Sequence, residues 1–168
     1  MRKQVLKELR QSQSVIAGGD EVMPRFWIDT PQGAMTVMIE LPPDITARNK
    51  GMQLIADFMA WRQATSFIHS AETMTPDLVF ALGISRDKFF GLYSLINRKP
   101  VVTFARDEKL PLASVGDEIP AMLPRGVRSI DAARVGQLQE VFNLYDGEDI
   151  APLIVIRMSD TGQATREH

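Results

Sequence analysis

The chain has 168 residues, 45% hydrophobic and 24% charged, with a formal net charge of −2 and no cysteine. This length and apolar content suit one domain with a substantial core, and the near-neutral charge provides no field to gather nucleic acid or an anionic membrane. The lack of cysteine excludes disulfides, thiolate metal sites and a cysteine nucleophile.

The first residues, MRKQVLKELRQSQS, are charged throughout and contain no apolar run of the kind a secretory signal needs. No segment approaches the length of a membrane span, so the expected location is the cytoplasm. Val5, Leu6, Leu9 and Ile16 recur at helical spacing and predict a short amphipathic helix ending near Ala17, before Gly18 and Gly19. Its apolar face is thin and carries no aromatic residue, which suits packing rather than membrane anchoring.

Residues 24–41, PRFWIDTPQGAMTVMIEL, predict a β-hairpin. Phe26 and Ile28 alternate with Arg25, Trp27 and Asp29, and Met35, Val37, Ile39 and Leu41 line one face after the turn. DTPQG suits a type I turn closed by Gly33 at positive φ. Asp44 or Thr46 then caps a helix reaching about Ala64, with Met52, Ile55, Phe58, Met59 and Arg62 in a stripe flanked by Leu54 and Trp61. Arg48 and Lys50 lie in its first turn, where the helix dipole disfavours cations. That placement suits solvated surface, or contact with an anionic partner.

Three strands follow: SFIHSAETM, LVFALGIS and FFGLYSLI, joined by short polar turns in an antiparallel meander. VVTFAR at 101–106 predicts a fourth strand. The stretch from Asp107 to Gly126, with Pro111, Pro120 and Pro124, predicts a long loop: a lid over a cleft, a partner surface or a solvated excursion. A second long helix starts near Ser129 or Asp131 and presents Val135, Leu138, Val141, Phe142 and Tyr145, with Gly147 as its end. PLIVIRM at 152–158 predicts a buried strand, and residues 159–168 a frayed polar tail. The fold class is therefore α+β: a predominantly antiparallel sheet, built from a hairpin and a three- to four-strand meander, packed by two long helices and a short N-terminal one. A single domain is expected over residues 1–158.

The chemistry centres on SFIHSAETM. Period-two alternation places Phe67, His69, Ala71 and Thr73 on one face and Ser66, Ile68, Ser70, Glu72 and Met74 on the other. Ser70 and His69 are thus opposed, and a nucleophile–base pair there needs a bulge. The expectation for His69 is a satisfied histidine at a helix–sheet boundary. Ser70 and Glu72 share a face about 7 Å apart, and Glu72 suits a general base, an orienting carboxylate or a plain salt bridge. With His168 the only other histidine, no paired-histidine zinc motif exists, and RDEK and YDGED lack calcium-loop spacing. Phosphate-loop, dinucleotide and nucleophile-elbow signatures are also missing.

The order helix, hairpin, helix, meander, helix over residues 2–145 is similar to the roadblock and longin group of profilin-like folds. That resemblance implies a scaffolding or regulatory domain that dimerises, and it assigns no residue a role; the strands at 101–106 and 152–158 depart from it. A long helix entering a strand of the FIHSAE type also resembles uncharacterised bacterial and phage α+β proteins, a likeness that implies no activity.

Two functional expectations result. The first is a non-catalytic protein-binding or regulatory module that self-associates, with Trp27 and Trp61 as candidate contact residues. The alternative is a small-molecule-binding protein or metal-independent enzyme whose pocket lies between the sheet and the 107–126 loop. Glu72 would then serve as base or orienter, Tyr93 as hydrogen-bond donor, and Arg106 and Arg125 as anion clamps. Neither expectation includes a cofactor, a nucleic acid or a membrane.

Overall fold

The computed structural model describes residues 1–124, 129–144 and 153–167. The elements in chain order are α1 (Arg2–Ala17), β1 (Arg25–Thr30), β2 (Gly33–Glu40), α2 (Ile45–Trp61), β3 (Ser66–Met74), β4 (Asp77–Ser85) and β5 (Phe89–Asn97). Two-residue strands β6 (Thr103–Phe104) and β7 (Glu108–Lys109) follow, then a 3-10 turn at Leu112–Ser114, α3 (Glu118–Ala121), α4 (Ala132–Phe142), β8 (Leu153–Met158) and β9 (Ala164–Glu167). The class is α+β, with one nine-stranded sheet in the order β6-β5-β4-β3-β1-β2-β8-β9 and β7 also on β5. Every pairing is antiparallel except that of β2 with β8.

The hairpin register places Phe26 opposite Val37 and Ile28 opposite Met35, so the apolar alternation of both strands falls on one buried face. The turn is tighter than DTPQG suggested. Thr30 pairs with Gly33, and Thr30 Oγ1 donates to the Gly33 carbonyl (2.8 Å) while accepting from the Gln32 amide (3.2 Å). Asp44 caps α2 by accepting from the Ala47 amide (2.8 Å). Leu54, Ile55, Phe58 and Met59 of α2 pack beneath β1, β2 and β8, and Phe58 stacks on Phe142 of α4 with ring centroids 4.1 Å apart. Trp61 meets Phe58 edge-on and Trp27 packs against the α1 core, so both tryptophans are half-buried in the fold.

The N-terminal helix is nearly as long as α2 and covers the opposite sheet face, so helices lie on both sides. Val5, Leu9 and Ile16 of α1 meet Ile68, Val79, Ala81 and Ile96 of β3, β4 and β5. Gly83 on β4 allows this approach: a Cβ there would lie 2.7 Å from Met1 and 3.0 Å from Val5. Among the described residues no helix is long and apolar enough to cross a membrane.

Several boundaries differ from the sequence expectation. The strand at 101–106 shrinks to Thr103–Phe104, because Asp107 is drawn into hydrogen bonds with Ser94 and Gln13 that turn the chain. The 107–124 stretch is not bare loop. It contains β7, the 3-10 turn and α3, and its Met122 and Leu123 are buried in the core. α4 stops at Phe142, with Asn143 in the left-handed region (φ 47°) terminating it; Tyr145 and Gly147, the expected face and end residues, lie outside the described residues. The polar end is ordered as β9 on β8, since Arg166 donates to the Phe142 carbonyl (2.8 Å) and Glu167 pairs with Arg157 (2.7 Å).

Candidate functional site

Ladder register builds one row across the sheet: Phe26 on β1, His69 on β3, Leu82 on β4 and Gly91 on β5. All four face the α2 side. At the end of that row the chain doubles over the sheet, the Leu110 amide donating to the Gly91 carbonyl (3.0 Å). Gly91 makes the fit possible, since a Cβ there would lie 2.9 Å from that of Leu110. Leu110, Ser114, Val115 and Ile119 thereby roof a pocket of about 280 Å³ whose floor includes His69, Leu82 and Phe80 and which Thr75 and Pro76 also line. Among the described residues none that lines it carries a formal charge at neutral pH.

His69 is 5% exposed. Its ring stacks on Phe26 (centroids 4.2 Å, 8° between planes) and meets the Phe80 ring edge-on at 5.3 Å. Nδ1 lies 3.1 Å from the Arg25 carbonyl, which can only accept, so Nδ1 carries the hydrogen and Nε2 presents a bare lone pair. Burial drives the His69 pKa down to about 4, against a smaller opposing effect of the Arg25 hydrogen bond, so the ring is neutral at pH 7. Among the described residues none donates to Nε2. The nearby Thr73 hydroxyl is already committed to the Pro76 carbonyl (2.6 Å).

The sequence-derived site residues are not assembled around this pocket. Glu72 faces α1, accepts from the Val22 amide (3.2 Å) and lies 3.8 Å from Arg98, which also holds Asp77 through two hydrogen bonds of 2.8 and 3.0 Å. Tyr93 is on the opposite face, because it pairs with Phe80 while Glu72 pairs with Val79 and Val79 with Ser94. Its hydroxyl donates to Glu108 (2.8 Å), and that hydrogen bond, with burial and the Glu108 charge, raises the phenol pKa. Glu72 and Tyr93 therefore cannot line one cleft. Arg106 is exposed between β6 and β7, and Arg125 lies outside the described residues. The expected pocket location between sheet and loop does contain a cavity, but His69 is at its floor. Its alternation with Phe67 was the signal that pointed there; that one ring nitrogen goes unpartnered was not readable from the sequence.

A second polar cluster lies under α1. Asp107 accepts from Ser94 Oγ (2.7 Å) and Gln13 Nε2 (3.2 Å) and from the Arg10 guanidinium. Burial pushes the Asp107 pKa up, but these hydrogen bonds and the Arg10 charge outweigh it and hold the carboxyl below its usual range. Buried Glu8 likewise pairs with Arg25 (3.3 Å) and accepts from Gln4 (3.2 Å). These groups tie α1 to the sheet, although Arg25 Nε is buried there without a hydrogen-bond partner among the described residues. A wider groove of about 550 Å³ between α2, α4 and β9 is lined by Lys50 and Arg134, which are engaged by the Thr161 carbonyl and by Asp57. Among the described residues no group of three metal-ligating side chains occurs.

Fold and geometry together define an α+β sheet protein with a small uncharged pocket under a folded-over segment. No protein-family model, no curated protein and no solved structure matches the chain.

Proposed function

We propose that this protein binds a compact, uncharged small molecule in the pocket between the sheet and the 110–119 segment. The observation that carries the reading is the neutral, buried His69 at the floor of a mostly apolar cavity of about 280 Å³. Ligand sites are concave and mostly apolar, with few polar groups that set orientation. A charged ligand would lose its hydration there and find no counter-charge among the lining residues. Binding without chemical turnover fits best, because the cavity brings no second titratable group to His69.

The test is a thermal-shift and ligand-observed NMR screen of small uncharged ring compounds against the wild type and Val115→Trp, which fills the cavity from its roof. The expected result is a set of uncharged hits that raise the melting temperature of the wild type and lose their effect in the variant. Equal shifts in both proteins, or hits confined to charged compounds, would sink the reading.

A further inference from the structure

Resting on the pocket-binding reading above, we infer that the ligand is a single-ring phenol whose hydroxyl donates to His69 Nε2. Three observations lead there. First, Nδ1 is held by the Arg25 carbonyl, which makes Nε2 an acceptor only, so the group that meets it must be a donor. The Thr73 hydroxyl, on the same strand face, cannot serve, because it donates to the Pro76 carbonyl. Nε2 is not sealed from solvent, so a ligand donor there takes the place of a water and gains what one net hydrogen bond contributes.

Second, the size suits one ring. A cavity of roughly 150 Å³ lined by aliphatic and aromatic groups holds benzene, so about 280 Å³ takes one ring with a short substituent. Third, the walls are mostly apolar, with Leu82, Leu110, Val115 and Ile119 around the cavity and the Phe80 ring on the His69 side, beside the hydroxyls of Thr75 and Ser114. A phenol remains protonated and uncharged at neutral pH, with a pKa of about 10, and still offers a strong donor. A carboxylate or an ammonium of the same size meets neither condition.

The test uses the full chain and two probes of matched shape, para-ethylphenol and para-ethylfluorobenzene, by isothermal titration calorimetry. The phenol is expected to bind roughly three- to tenfold tighter, the usual margin for one net hydrogen bond. In His69→Phe, which keeps a ring on Phe26 and removes the acceptor, that ratio should fall to about one. In the wild type, the nitrogen resonance of His69 Nε2 should move on adding the phenol and stay still with the fluoro compound, a readout that stands even if the variant fails to fold. Equal saturable binding of both probes to the wild type overturns the hydroxyl assignment while leaving the pocket reading intact. A wild-type ratio retained in folded His69→Phe also overturns it. Saturable binding of neither probe overturns both readings.

Discussion

The two faces of the sheet handle polar groups differently, charged clusters on one and a neutral ring beside a pocket on the other. Beneath α1, Asp107 collects donors from Ser94, Gln13 and Arg10, and Glu8 is matched by Arg25 and Gln4. Beneath the 110–119 segment, His69 has one nitrogen engaged and the other facing a mostly apolar cavity. A polar group whose partners all come from its own chain holds elements together. His69 Nε2 is open to the pocket rather than sealed, which leaves room for an external donor, whereas Arg25 Nε, unpartnered among the described residues of the α1 face, is fully buried. The comparison explains why the carboxylates, which looked chemically richer in the sequence, belong to the structural face.

Four measurements probe that contrast, beginning with the substitution expected to cost most. Phe58→Ala removes the ring stacked on Phe142 at the centre of the larger core and should cost about 3–5 kcal/mol in chemical denaturation; a loss below 1 kcal/mol would mean α2 and α4 are not coupled through that contact.

Next is acid sensitivity. The folded pKa of His69, about 4, is below its ordinary 6.5, so the unfolded chain takes up the proton first. The contribution of neutral His69 is complete above pH 6.5 and is lost progressively as pH falls toward 4, by about 3 kcal/mol. Asp107 behaves as a carboxyl with a lowered pKa: its contribution is complete above the ordinary 3.8 and is lost as pH falls below it. The pocket face should therefore weaken before the α1 face on acidification. His69→Phe should flatten the stability profile between pH 6.5 and 4, and an unchanged slope there would place its titration elsewhere.

Asp107→Ala should cost about 1–3 kcal/mol, because Ser94 and Gln13 lose a charged acceptor in a buried setting. Ligand binding on the other face should be unaffected; a parallel loss of affinity would show that the two faces are coupled. Gly91→Ala should cost about 1 kcal/mol as Leu110 shifts from its seat, yet weaken ligand binding more than tenfold by displacing the roof. Unchanged affinity in a folded Gly91→Ala protein would show that Leu110 does not shape the pocket.

What the sequence by itself determined is local. Period-two alternation identified the hairpin and the meander, including the faces of Phe26, Phe67 and His69, because a buried sheet face admits only one register. Helical spacing and Asp44 located α2, since a cap and an apolar stripe are properties of neighbouring residues. What depended on distant residues was decided only in the tertiary structure. Asp107 ends a strand because Ser94 and Gln13 call for it, and the polar end becomes a strand because β8 offers an edge and Phe142 a carbonyl. Glu72 and Tyr93 fall on opposite faces through the pairing of β3, β4 and β5, and His69 becomes the candidate site because Gly91 lets a segment from far along the chain close over it. Alternation is written into adjacent residues. Which polar atom ends without a partner depends on long-range contacts, and only the assembled sheet makes them.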